Sequence, residues 1–294
     1  MKKLMALLLS VLLTVPFVAC GDEGGDESLK VDDSSAVSQK EEDVAFEEQV
    51  VVDNDECLIK ITGIDADNLF GYTLNVYLEN KSADMTYNFS VDNVIIDGVS
   101  CSSLLYVDVD PGSNTDYEVT LMDTEFKEYH VGDYTDISLD FIVKDANNIA
   151  LDPIVKENVH VYPLGKDKAA KFSREPKDTD EVIAYESEVK VTVIDYKLDA
   201  VWGYTVVFYM ENDSDRTVTI SSENESLNGV AFDPLFANSV PAKCSSFETM
   251  CFYNDFLENN SIETVEEIKF SLKANDYEAF ETLFEKEITL NPEA

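Results

Sequence analysis

Residues 70–80 read FGYTLNVYLEN, and residues 202–212 read WGYTVVFYMEN. Six of the eleven positions are identical, and most of the others exchange one apolar residue for another. In the first stretch Tyr72, Leu74, Val76 and Leu78 alternate with Thr73, Asn75, Tyr77 and Glu79. In the second, Tyr204, Val206, Phe208 and Met210 alternate with Thr205, Val207, Tyr209 and Glu211. Side chains on a strand point alternately to its two faces, so each stretch predicts a strand with Tyr72 or Tyr204 turned inward. Glu79-Asn80-Lys81-Ser82 and Glu211-Asn212-Asp213-Ser214 follow with turn chemistry.

The match extends outward from this strand. Cys57–Ile61 aligns with Val189–Val193 and Gly71 with Gly203, both 132 positions apart. Gly98 aligns with Gly229 (131), Pro111 with Pro241 (130), Ile137 with Ile268 (131) and Pro163 with Pro292 (129). The offset drifts by single residues between strand-like runs, where loops accept insertions. A period above a hundred residues implies two whole domains, because solenoid repeats are far shorter. Further alternating runs lie at Tyr117–Met122, Ile137–Val143 and Val159–Tyr162, with partners at Phe247–Phe252, Glu267–Leu272 and Glu287–Leu290. The expected fold is all-β: two tandem immunoglobulin-like antiparallel β-sandwich domains, over residues 50–164 and 186–294. Helix signals are weak; NSIETVEEIKF (260–270) is the one stretch that suits a helical turn before its strand.

The chain opens MKKLMALLLSVLLTVPFVACGDEGG. Two lysines, an apolar run and a small residue before Cys20 have the layout of a secretory signal peptide over residues 1–19. FVAC resembles the lipobox of bacterial lipoproteins, with Phe17 where that family usually has Leu. The resemblance implies lipidation of Cys20 by a diacyl anchor, and two acyl chains hold a protein stably to a membrane. Residues 20–49 are rich in Gly, Ser, Asp and Glu and read as the lipidated Cys followed by a flexible, self-repelling tether. The expected location is extracytoplasmic, anchored to the cell membrane.

Sixty acidic against 21 basic residues give a formal charge of −39. Such a chain repels phosphate backbones, which excludes nucleic acid as a partner. Hydrophobic residues at 45% exclude disorder of the whole. Against the acidic background, residues 164–185 gather Lys166, Lys168, Lys171, Arg174 and Lys177. Interleaved Asp167, Glu175 and Asp178 make this a solvated linker, placed at residues 165–185, rather than a headgroup or wall-polymer contact.

A lipobox, an acidic tether, and GYTVVFYMENDSDRTVTIS followed by LNGVAFDPLF together resemble uncharacterised surface lipoproteins of Gram-positive bacteria with tandem immunoglobulin-like domains of unknown function. The likeness covers both copies and is closer in the second; the first has IDGVSCSSLL and lacks the Asp-Pro. It implies a fold and a location, and no catalytic residue.

Catalytic constellations are missing from the sequence. His130 and His160 have no Cys or His at ligand spacing, and HExxH, GxSxG, GxxxxGK[ST] and CxxC do not occur. No catalytic, metal or cofactor residue is assigned. Asp108–Asp116 (DVDPGSNTD) places oxygens at alternate positions, but its counterpart NSVPAKCSS lacks them, so a turn is expected rather than a calcium loop. Cys57 stands where the second copy has Val189, and Cys251 where the first has Leu121, so both read as small core residues. Cys244 and Cys251 lie too far apart on one extended strand to bridge, while a Cys57–Cys101 disulfide stays open. Trp202 and Phe70, matched before the motif Gly, are expected to pack at a strand start. The expected function is a non-catalytic binding or spacer module, with a cell-wall, glycan or protein ligand. The alternatives are a structural envelope protein without a dedicated ligand, or a carbohydrate-binding accessory or hydrolase. The copies differ most in SCSSLLYVDVDPG (100–112) against AFDPLFANSVPAK (231–243), which makes these segments the place to look for function.

Overall fold

Strict alternation carries the quoted stretches into the centre of each half of the protein. In the computed structural model, which describes residues 46–292 apart from 123, 200 and 201, the N-terminal half builds nine strands. These are β1 (Gln49–Asp53), β2 (Cys57–Asp65), β3 (Tyr72–Asn80), β4 (Tyr87–Ile96), β5 (Val99–Leu104), β6 (Tyr106–Val109), β7 (Asn114–Met122), β8 (Ile137–Asp145) and β9 (Val155–Val161). The C-terminal half follows with β10 (Glu181–Glu186), β11 (Val189–Asp199), β12 (Gly203–Asn212), β13 (Val218–Leu227), β14 (Val230–Ala231), β15 (Ala237–Val240), β16 (Ser245–Tyr253), β17 (Ile268–Asp276) and β18 (Thr282–Leu290). Helix is limited to short pieces, notably α1 (Thr124–Glu128) and α2 (Asn254–Asn259). The helical turn therefore comes just ahead of the stretch expected to hold it. The fold is an all-β sandwich. The expected signal peptide, Cys20 and nearly all of the expected tether fall on residues 1–45, outside the described residues.

In the N-terminal half β1-β2-β3-β7 faces β6-β4-β8-β9, and β5 links the two layers by pairing first with β4 and then with β7. Tyr72, Leu74, Val76 and Leu78 of β3 are buried between the layers. The C-terminal half repeats the plan, with β10-β11-β12-β16 over β13, β17 and β18, and Val206, Phe208 and Met210 in its core.

Irregularities recur at the same offset as the sequence match. Bulges interrupt β1/β2 at Val50/Val52 and β10/β11 at Val182/Ala184, then β2/β3 at Ile61/Gly63 and β11/β12 at Val193/Asp195. Asn93 and Asn224 both take positive φ, as do Asp97 and Asn228.

The conserved letters of the quoted stretch have separate structural jobs. Gly203 has φ +115°, and a Cβ there would lie 2.2 Å from the Phe252 carbonyl oxygen, so only glycine lets β12 approach β16. Asn80 and Asn212, both buried, fasten the next turn to a distant strand. Asn80 Nδ2 donates to Met85 O and Val109 O at 2.8 Å each. Asn212 Nδ2 donates to Arg216 O at 2.8 Å and Val240 O at 2.9 Å, while its Oδ1 accepts from Ser214 N. A buried side-chain amide can satisfy several backbone groups at once, which explains its position after an apolar strand.

The two halves share one sheet. Ser245 and Ser246 of β16 pair in parallel with Val99 and Ser100 of β5, joining strands far apart in sequence. Around this ladder the outward side chains of the C-terminal sheet are also apolar. Ile194, Val207, Tyr209 and Phe247 pack into the core of the N-terminal half, not that of their own. Phe247 stacks on Tyr129 (ring centroids 5.0 Å) and meets Phe126 (6.2 Å), Tyr209 (5.0 Å) and Phe172 (6.4 Å).

The segment read as a solvated linker takes part in this junction. Phe172 N donates to Asp97 O at 2.7 Å and Ala170 N to Thr135 Oγ1 at 2.9 Å. Arg174 makes a two-pronged ion pair with Asp180 (2.5 and 2.8 Å), both largely buried, and lies 6.0 Å from the Tyr209 ring. Lys171 crosses Gly98 and donates to Lys243 O. Lys166, Lys168, Lys171 and Lys177 are exposed, as the interleaved acids suggest, while Phe172 and Arg174 anchor the segment to the protein.

Candidate functional site

A cleft of about 270 Å³ opens where β5 leaves β16. Its walls include Ser100, Cys101 and Ser102 of β5, Met122 of β7, Glu125 and Phe126 of α1, Asn238 of β15, and Phe247, Glu248 and Thr249 of β16. Ser100–Ser102 and Asn238 come from the two segments in which the copies differ most, and the junction brings them together.

The cleft exists because β5 and β14 end differently. β5 runs on to pair Ser102, Ser103 and Leu104 with the last residues of β7. Its counterpart β14 pairs only Val230 and Ala231, with β13, and stops ahead of Asp233-Pro234. Proline has no N–H for a ladder, so the strand does not continue there. Beyond Ser246, β16 has β12 on one side and no strand on its other side among the described residues.

Polar groups in the cleft hold one another. Asn238 Nδ2 donates to Ser246 Oγ at 2.7 Å, and Ser246 Oγ donates to Phe247 O at 3.1 Å. Thr249 N donates to Glu248 Oε1 at 2.9 Å. Cys101 Sγ donates to Ser102 O at 3.2 Å and Met122 O at 3.5 Å. Burial raises the Glu248 carboxyl above its ordinary range; the Thr249 amide pulls the other way and the Glu125 charge adds to the rise. Glu248 shares a strand face with Met250 and Phe252, both in the core. A charge at an inward position of an otherwise apolar strand is a legible signal that sequence reasoning passed over.

A second, shallower groove of about 430 Å³ lies on the other side of the ladder and holds His160, Asp136, Lys171 and Lys243. Its polar side chains are engaged: His160 Nδ1 lies 2.6 Å from Asp136 Oδ1, Lys243 pairs with Asp215 at 2.9 Å, and Lys171 donates to Lys243 O. His130 is exposed at φ +57° and does not line it.

Other expectations resolve individually. Trp202 and Phe70 are not buried at the strand start; they are 65% and 79% exposed. Cys57 is a fully buried core thiol, held up at about 11 by burial. Cys251 is not the counterpart of Leu121. Tyr72 pairs with Leu121 and Tyr204 with Phe252, so the register is one residue off the sequence match and Cys251 turns to the opposite face. No disulfide joins Cys57, Cys101, Cys244 and Cys251. Residues 108–116 form a tight turn, with Ser113 N donating to Asp110 O and Asp108 accepting from Asn88. Among the described residues, no group of three or more His, Cys, Asp or Glu is placed to hold a metal.

No protein-family model matches the chain, and no curated protein matches it. Among solved structures, red sea bream transglutaminase is 11% identical over 82% of this chain and 31% of its own, with a TM-score of 0.22. The YadV chaperone is 12% identical over 74% of this chain and 92% of its own, at 0.23. The exo-chitosanase CsxA of Amycolatopsis orientalis is 11% identical over 78% and 26%, at 0.23. The chain thus spans under a third of the length of the transglutaminase it matches. At such scores the likeness carries no argument about activity.

Proposed function

We propose that this chain is an extracytoplasmic lipoprotein, held to the membrane through Cys20, whose duplicated immunoglobulin-like halves form a stiff, non-catalytic arm that presents a binding surface. The observation that carries this reading is the junction. A shared ladder at Ser245/Val99 and Ser246/Ser100, the aromatic cluster around Phe247, and the Phe172–Arg174 strap all oppose hinge motion between the halves. Separate domains on a loose linker have few such contacts and reorient freely. Matched bulges and matched positive-φ residues support duplication of one domain. Exposed Phe70 and Trp202 at matched turns favour a binding arm over a bare spacer.

Residual dipolar couplings on the full chain test stiffness. One alignment tensor should fit the strands of both halves; two tensors of different magnitude would defeat the stiff-arm reading. Replacing Cys20→Ser should release the protein from the membrane fraction into the medium, and continued retention would defeat the anchor.

A further inference from the structure

The open side of β16 combines an unpaired sheet edge, a formed cleft and carboxylates. Peptide groups of an antiparallel strand alternate between its two neighbours. Ser245 N donates to Gly98 O, toward β5. By alternation Phe247, Thr249 and Cys251 present their peptide groups on that same side, where no strand follows among the described residues. Two of these groups are covered locally, Phe247 O by Ser246 Oγ and Thr249 N by Glu248 Oε1. Inward polar side chains over an edge are a known guard against indiscriminate pairing. A strand laid along the edge supplies the same hydrogen bonds from its own backbone and frees the Glu248 carboxylate.

Charge and apolar area indicate what would lie there. The chain carries a net −39, so a second copy approaching edge to edge is repelled. Glu248 and Glu125 face the cleft together, and a cation between them relieves both their mutual repulsion and the poor solvation of Glu248. Met122 lines the same cleft, and Leu104 follows two residues after the cleft-lining Ser102 on the neighbouring strand β5; both are exposed. We propose that this cleft docks an extended segment of a partner protein, added to β16 as its next strand, with a Lys or Arg side chain between Glu248 and Glu125 and apolar side chains against Met122 and Leu104. Main-chain bonds give such an interaction its affinity, and the side-chain sites give its specificity. The site deepens the binding-arm reading and rests on it. The test below reads binding in solution, so its failure leaves the anchor and stiffness experiments untouched.

The probe is a fluorescein-labelled nonapeptide alternating Thr and Val around a central Arg, with a central-Glu peptide as control, measured by anisotropy on the full chain. The Arg peptide should bind at least about tenfold more tightly than the Glu peptide, and less tightly as salt rises. Glu248→Gln should weaken the Arg peptide by about tenfold. Thr249→Pro, which deletes an outward N–H but no bond to β12, should abolish binding while circular dichroism stays that of the wild type. Amide exchange on the wild type gives a readout free of mutation: the peptide should protect Phe247, Thr249 and Cys251. Equal binding of the two peptides, no binding at about millimolar peptide, protection elsewhere, or a dimer of the chain closing this edge in sedimentation would each overturn the proposal.

Discussion

Replacing Phe247→Ala tests whether the aromatic cluster is what makes the two halves one body. Phe247 is 8% exposed and touches four rings, two of them at 5.0 Å. Burying a phenylalanine side chain contributes about 1.5–3 kcal/mol, and each well-placed aromatic pair adds about 0.5–1.5 kcal/mol. The pairs at 6.2 and 6.4 Å lie near the outer limit of such contacts and add less. The expected loss is about 4 kcal/mol, within the usual range for Phe→Ala in a core. Its distribution matters more than its size. Tyr209 lies in the same half as Phe247, whereas Tyr129 and Phe126 lie across the junction. About half of the loss, ~2 kcal/mol, should therefore appear as weakened coupling between the halves. Urea unfolding reads this directly. Fluorescence of Trp202, the only tryptophan, follows the C-terminal half, and amide exchange in β4 and β8 follows the other. Midpoints that coincide in the wild type should separate in the variant. As a control, Asp116→Ala changes the residue that pairs with Tyr77 as Phe247 pairs with Tyr209, and should stay within about 0.5 kcal/mol. A Phe247→Ala loss below about 1 kcal/mol, or midpoints that still coincide, would refute the reasoning.

Three further outcomes follow from buried polar groups. Asn212→Ala leaves Arg216 O, Val240 O and Ser214 N without their partner and should cost about 2–4 kcal/mol in chemical denaturation, against a few tenths for an exposed asparagine. Arg174→Ala strands Asp180, whose carboxyl the Arg174 guanidinium holds below its ordinary range, and should cost about 3–5 kcal/mol near neutral pH. Because the folded value is depressed, that stability is present above the ordinary carboxylate range and is lost as pH falls through the folded value; titrating the urea midpoint of wild type against variant should show the two converging in acid. Glu248 has the opposite sign. Its folded carboxyl binds a proton more tightly than the unfolded one, so stability falls as pH rises from the ordinary glutamate range through the raised folded value. Glu248→Gln should remove that slope and leave the variant the more stable protein at neutral pH; a parallel pH profile would contradict the assignment.

Alternation at Tyr72–Leu78 and Tyr204–Met210 was enough to place the core strands, since one face of a half-buried strand must be apolar whatever lies elsewhere. Most other strands were legible for the same reason. The match at Cys57 and Val189 held because both lie deep in a core. The match at Cys251 slipped by one residue, and in a period-two element one residue exchanges the faces.

The cleft was half legible. The differing segments at 100–112 and 231–243 marked its walls, and Asp233-Pro234 marks why β14 stops short. Glu248 among Met250 and Phe252 was visible as an inward charge, but the sequence match set Phe247 against Tyr117, and only the strand register showed that it stands where the other half has Asp116.

By itself, the sequence determined a β-rich chain with two similar stretches, their core faces, the glycine and asparagine that bound the motif strand, and a large acidic excess. Only the tertiary structure decided that β5 and β16 share a ladder, that Val207, Tyr209 and Phe247 close against the other half, and that the basic segment straps the junction. Periodicity is a local property that sorts side chains into two faces. What covers the second face depends on chain more than a hundred residues away, and no local pattern records it.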